Sequence, residues 1–122
     1  MREIKFRVWD KQKKFMIKTV AIQNLTYKFA SNKDHIFLQY IGLEDKNGEE
    51  IYEGDVLIDC EGEKWFVFYD NTCGWYRLKS CYNDEVIEDI PDNLTSDNKL
   101  DMKIIGSIYE NPELLEGEIN EI

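Results

Sequence analysis

The groups in this sequence with the most chemical potential are its carboxylates, three thiols and one imidazole, and their spacing limits what they can do. Asp45-Lys46-Asn47-Gly48 has the look of a calcium loop, with oxygen ligands ahead of a glycine. Setting Gly48 at the invariant glycine of such a loop puts Leu43 at the first ligand position and Gly54 at the last, where Asp and Glu are required. Both anchors fail, and the tetrapeptide reads as a turn. Cys60, Cys73 and Cys81 contain no Cys-x-x-Cys, and the only histidine, His35, is distant from them in sequence. That inventory argues against zinc and against a cysteine nucleophile with a base beside it. The thiols are expected to be small, mostly buried and reduced, since an odd number cannot all pair within one chain. His35, at a loop-to-strand junction, is expected at the surface. No Gly-x-Gly-x-x-Gly or phosphate-binding loop occurs, so no cofactor is expected. With 25 Asp and Glu, some pair of carboxylates must lie close, which makes proximity alone uninformative about glycosidase-type chemistry. Catalysis is the minority expectation.

Charge is the stronger signal. The 122 residues carry a net −10, but unevenly. Residues 1–33 hold nine Lys and Arg against two acids, residues 34–81 four against eleven, and residues 82–122 two against twelve. Arg2, Lys5, Arg7, Lys11, Lys13 and Lys14, interleaved with Phe6 and Trp9, have the cation–aromatic mixture of a nucleic-acid contact. The acidic remainder repels phosphate at long range, so nucleic acid ranks below protein as a partner. The same asymmetry lets the basic end of one chain meet the acidic region 82–101 of another. This arrangement is expected over folding back within one chain, because a projecting hairpin is a ready arm for exchange between identical chains. Exposed ion pairs contribute only about 0–1 kcal/mol each, so apolar anchors must supply most of the affinity. The expected interaction surface therefore combines Arg7, Trp9, Lys11, Lys13 and Lys14 with Trp75 and Tyr76 and with Asp84, Glu85, Glu88 and Asp89.

The elements that must position these groups read as short strands. Ile4, Phe6 and Val8 alternate with polar or charged neighbours, Asp10-Lys11-Gln12-Lys13-Lys14 breaks the pattern, and Phe15-Met16-Ile17 resumes it. That is a hairpin with lysines at its tip. Leu25, Tyr27 and Phe29 alternate and read as a further strand, Ala30–Asp34 as a loop, and 36–41 as a strand ended by Gly42. Asn47-Gly48 is the strongest two-residue turn signal and predicts a type I′ turn. Glu53-Gly54-Asp55 bends the chain into Val56-Leu57-Ile58. Lys64–Tyr69 is apolar on both faces, as a central strand would be, and Asp70–Gly74 turns into Trp75–Lys79. Residues 82–101, with Pro91, read as an unpatterned loop of a length unusual in a compact domain. Met102–Tyr109 returns to strand. Asn111-Pro112-Glu113 then caps a short helix, with Glu113 and Glu116 at its positive end and Gly117 stopping it.

Three blocks resemble a known family. Gln39-Tyr40-Ile41-Gly42-Leu43, Asp45-Lys46-Asn47-Gly48 and Ile51-Tyr52-Glu53-Gly54-Asp55 resemble the central signature of the YopX family of bacteriophage and prophage proteins. The flanks Arg2–Asp10 and Ile105–Leu115 match in the same order, whereas 19–35 and 82–101 carry no resemblance. The resemblance implies a mainly β fold with an SH3-like barrel and a phage or prophage origin, and it implies no activity. Together these readings predict one domain: an N-terminal β-hairpin region over 1–35, an SH3-like barrel core over 36–110, and a short helix and tail over 111–122. Gly42, Asp45, Asn47, Gly48, Tyr52, Glu53, Gly54 and Asp55 form its structural motif. The expected function is that of a non-catalytic accessory protein acting through protein contacts as a homo-oligomer. A nucleic-acid module using the basic hairpin is the alternative from another class, and an enzyme the third. No apolar run approaches the roughly 20 residues that span a bilayer, and Met1-Arg2-Glu3-Ile4-Lys5 has no signal-peptide character. The cytoplasm of a bacterial host is the expected compartment.

Overall fold

The structure is a computed structural model that describes residues 4–21, 25–83, 85–90 and 99–115. Among these the chain is mainly β. In order come β1 (Lys5–Asp10), β2 (Phe15–Ala21), a single helical turn α1 (Tyr27–Ala30), β3 (His35–Glu44), β4 (Glu50–Tyr52), β5 (Asp55–Ile58), β6 (Lys64–Asp70), β7 (Trp75–Ser80), β8 (Ile87–Asp89) and β9 (Lys103–Ser107). A 3-10 turn, Pro112–Leu115, follows. The strands form two curled antiparallel sheets, ordered β2-β1-β3-β4 and β8-β7-β6-β5-β9. No helix among the described residues is long and apolar enough to cross a membrane.

The core lies inside the curl of the second sheet. Leu57, Val67, Tyr76 and Leu78 project from β5, β6 and β7 toward Ile41 and Ile51 of β3 and β4, and Leu100 and Met102 close the cluster. Trp65 and Ile104 pack against it from the same pleat. Strand β6 holds its place at the centre of the five strands because alternate residues serve both faces. Val67 enters the core, and Phe66 and Phe68 stack on the other side with ring centroids 6.3 Å apart.

The β1–β2 hairpin forms as expected, with Asp10 opposite Phe15. It does not project, because β1 pairs on its other edge with β3 and its Val8 is fully buried. Several local expectations change. Residues 27–30 are helical: the Thr26 hydroxyl accepts the Phe29 N–H at 3.1 Å, and a capped turn outcompetes an alternation whose Tyr27 is 88% exposed. Gly42 bends β3 at φ 91° without ending it, and the strand continues to Glu44. Part of the expected 82–101 loop is strand, since β8 pairs with β7. Pro91 lies outside the described residues. The helix expected after Asn111 is a single 3-10 turn, and Glu116 and Gly117 lie outside the described residues.

Four hairpin turns share one construction. Asp10, Asp45, Asp59 and Asp70 each end or follow a strand, and each Oδ1 accepts the N–H two residues on, at 2.9 to 3.0 Å. A left-handed residue then closes the turn: Lys14, Gly48, Gly62 and Gly74, with φ between 58° and 86°. The side chain replaces a backbone acceptor, which is why Asp leads these loops. This construction overturns the type I′ expectation. Asn47 gives its N–H to Asp45 and does not take positive φ, and the Gly48 N–H closes back on the Asp45 carbonyl at 2.9 Å.

Candidate interaction surfaces and the sheet junction

The residues that resembled a signature form the junction between the two sheets. At one corner Asp45 is 1% exposed, and its Oδ2 accepts the Ile104 N–H of β9 at 3.0 Å while its Oδ1 holds the turn. The next residue donates its N–H to the Met102 carbonyl at 3.0 Å. At the second corner the Glu53 N–H reaches Gln39 in the first sheet, and the Gly54 N–H reaches Val67 in the second. Gly54 needs its φ of 88° there, and a Cβ at that position would lie 2.9 Å from the Tyr109 ring. Asp55 completes the corner, its Oδ2 accepting the Tyr52 N–H at 2.8 Å.

Arg7 crosses from β1 to this corner. Its guanidinium pairs with Oδ1 of Asp55 and lies over the Tyr52 ring at 4.9 Å, with side-chain exposures of 16% and 1% for the ion pair. Burial pushes the Asp55 carboxyl up to about 6 against the opposing charge of Arg7, and the charge of Glu110 adds to the rise. Burial raises Glu53 as well, and it raises the Tyr109 hydroxyl, to which the charge of Glu53 also contributes. Beside this corner Trp9 packs on Tyr109, ring centroids 6.2 Å apart, and Tyr76 donates its hydroxyl to Gln39 at 2.9 Å. Lys5 is likewise paired within the chain, to Glu50. The polar cluster is therefore a latch: Asp45 and Asp55 hold one sheet against the other, while Glu50 ties β4 to β1 within the first sheet.

The expected interaction residues separate into three places. Lys11, Lys13 and Lys14 stand exposed at the β1–β2 tip, and none makes an ion pair with a described residue. Trp75 is 49% exposed and stacks against Tyr76, whose own ring is buried. Glu85, Glu88 and Asp89 are exposed on or beside β8, where Asp89 accepts Arg77 Nε at 2.9 Å. Asp84 lies outside the described residues. Arg7 and Trp9 belong to the latch and not to the exposed tip. His35 is not a surface residue either. Its ring lies 4.4 Å from Phe29 and 3.5 Å from an Asp10 oxygen, with an 8% exposed side chain. Of the thiols, Cys60 and Cys73 are exposed and only Cys81 is buried, because two of the three fall in turns.

Sequence reasoning missed an acid-rimmed cavity at the far end of the core. It has a volume of about 240 Å³, a floor of Trp65, Leu78, Leu100 and Met102, and carboxylates of Asp59, Glu88, Asp89 and Asp101 at its edge. Its signal was the sequence Leu100-Asp101-Met102, which alternates core and solvent just before β9. No group of three His, Cys, Asp or Glu among the described residues is placed to hold a metal ion.

The sequence profile of the family described as YopX protein matches residues 20–116. The chain belongs to the YopX family. The match includes Asp45, Gly54 and Asp55 at the two corners, while Arg7 and Trp9, which complete the latch from β1, lie before it. No curated protein matches the chain. The crystal structure of protein EF1440 from Enterococcus faecalis is similar in fold, with a TM-score of 0.64 at 22% identity, over 95% of this chain and 100% of that one.

Proposed function

We propose that this YopX-family chain is a non-catalytic phage or prophage accessory protein that acts in the bacterial cytoplasm through protein–protein contacts, as a homo-oligomer. One observation carries the reading. The buried polar groups Asp45 and Asp55 of the signature are used in joining the two sheets, while the outward-facing features are a lysine tip with no ion pair to a described residue, an acid-rimmed apolar cavity and the exposed ring of Trp75. Such features suit recognition better than turnover, because none places a nucleophile beside a base. We read the curled second sheet with β3 and β4 as an SH3-like barrel and residues 36–110 as the core unit, supported by a single apolar cluster drawn from Ile41 to Met102. Size exclusion with light scattering tests the assembly. A mass that is a multiple of 14.5 kDa is expected, and 14.5 kDa at every concentration would overturn the homo-oligomer.

The exposed tip lysines, with no ion pair to a described residue, also favour a second reading, a nucleic-acid-associated module. Titration of labelled single- and double-stranded DNA and RNA decides it. Salt-sensitive binding abolished by replacing Lys11, Lys13 and Lys14 would install this reading, and absence of binding at low salt would remove it.

A further inference from the structure

We propose that copies of this chain associate head to tail, the lysine tip of one entering the acid-rimmed cavity of the next. The inference rests on the homo-oligomer reading and supplies its contact. The tip, Lys11 to Lys14, lies at the His35 end of β3, where Asp10 pairs with His35 and the Lys11 N–H reaches the Asp34 carbonyl. The cavity lies at the other end of the same strand, where Leu100 donates its N–H to the Glu44 carbonyl and Glu44 bridges to Lys99. At about 3.3 Å per residue, a strand from His35 to Glu44 separates tip from cavity by up to roughly 30 Å. Tip and cavity thus sit at opposite ends of β3, and the contact is placed between molecules.

The two surfaces match in chemistry. The cavity, about 240 Å³, is several times the roughly 30 Å³ that one water occupies in the liquid, so it has room for a side chain. Its apolar floor suits the methylene stem of a lysine, with the Trp65 ring adding a cation–π surface. At the rim Asp89 is committed to Arg77, and Asp59 to its own turn and the Trp65 N–H, whereas Glu88 and Asp101 have no ion pair among the described residues. These two carboxylates meet the incoming ammonium. Phe15, 45% exposed at the base of the tip, adds apolar contact beside it. Because the donor and acceptor surfaces differ, the interface is heterologous and propagates into a ring or an open chain, not a closed two-fold dimer.

Neutral substitutions at each end give the test. One variant carries Lys11→Gln, Lys13→Gln and Lys14→Gln; the other carries Glu88→Gln and Asp101→Asn. All five positions are exposed, and thermal melts of the two variants serve as folding controls. Light scattering should find the parent at more than twice 14.5 kDa at high concentration and each variant alone at 14.5 kDa. An equimolar mixture should reach twice that mass and stop, since one chain offers only a cavity and the other only a tip. A parent that assembles while both variants assemble equally well overturns this contact and leaves the homo-oligomer standing. Variants that stay monomeric even when mixed also overturn it. A parent that never exceeds 14.5 kDa overturns both proposals. Should a variant fail to melt cooperatively, added salt on the parent replaces it: assembly indifferent to salt contradicts the contact.

Discussion

Replacing Arg7 by Met removes the guanidinium from the sheet junction while keeping a stem to cover the Tyr52 ring. Asp55 is 1% exposed, so the variant leaves a carboxylate buried without its counter-charge. Breaking a buried pair from one side costs about 3–5 kcal/mol for Arg7→Met, and Asp55→Asn, neutral like the protonated carboxyl that burial favours, should cost less. The double variant removes both charges of the pair and should recover at least about 2 kcal/mol of the summed loss. Urea denaturation of the parent, both single variants and the double variant measures this coupling. The same series has a pH signature. The native Asp55 carboxyl sits at about 6 against an ordinary value of 3.8, so between those values the native state binds more protons than the unfolded chain. This group's contribution is therefore present at low pH and lost as pH rises through 6. Going from about pH 8 to about pH 5 should stabilise the parent relative to Asp55→Asn by about 1–2 kcal/mol. Only the difference between the two is diagnostic, because Asp10 and Asp70, held below the usual range by turn N–H and hydroxyl donors, lose stability in the opposite direction. Additive losses, or a parent and Asp55→Asn with parallel pH profiles, would refute the latch.

Two further outcomes follow from the turns and the thiols. Gly48→Val should cost about 1–3 kcal/mol through φ alone, since nothing lies within 4 Å of its Cβ position, whereas Lys14→Gly should raise the melting temperature by removing a side chain from φ 58°. Equal melts for either variant and the parent would contradict the assigned backbone. Under native conditions a chromogenic disulfide reagent should modify Cys60 and Cys73 quickly and Cys81 slowly, because Cys81 is buried and its thiol is pushed up to about 11. Three thiols reacting at one rate would show Cys81 to be accessible.

The sequence was most legible where side-chain period and turn chemistry coincide. Strands β1, β2, β5, β6, β7 and β9 fall within a few residues of their apolar runs, because each run alternates or fills both faces, and β1, β5 and β6 lead into Asp-led turns. Residues 25–30 misled, since Leu25, Tyr27 and Phe29 mimic period two while Thr26 caps a helical turn by a hydrogen bond that no periodicity reveals. The three-residue β8 was invisible for the reverse reason, having too few residues to show a period. At the junction the signature was visible as turns, but its purpose was not. Arg7 and Asp55 are 48 residues apart, and nothing local tells a buried ion pair from two solvated charges. The charge asymmetry was read correctly as a sum and too simply as a surface. Arg7 and Lys5 face inward partners, while Lys11, Lys13 and Lys14 at the tip, like Lys18, Lys28 and Lys33, stand exposed with no ion pair to a described residue. The cavity needs Trp65 from one strand, Glu88 from another and Leu100 from a connecting segment, a convergence that only the folded chain supplies.

Zero-length carbodiimide cross-linking of an equal mixture of ordinary and nitrogen-15 chains tests the central claim most directly, because it joins only an amine to a carboxylate already in contact. Peptide mass spectrometry should find Lys11, Lys13 or Lys14 joined to Glu88 or Asp101 in isotopically mixed pairs. Tip lysines joined only to carboxylates of their own chain, or not joined at all while Lys5 and Glu50 link within the chain as their pairing requires, would contradict it.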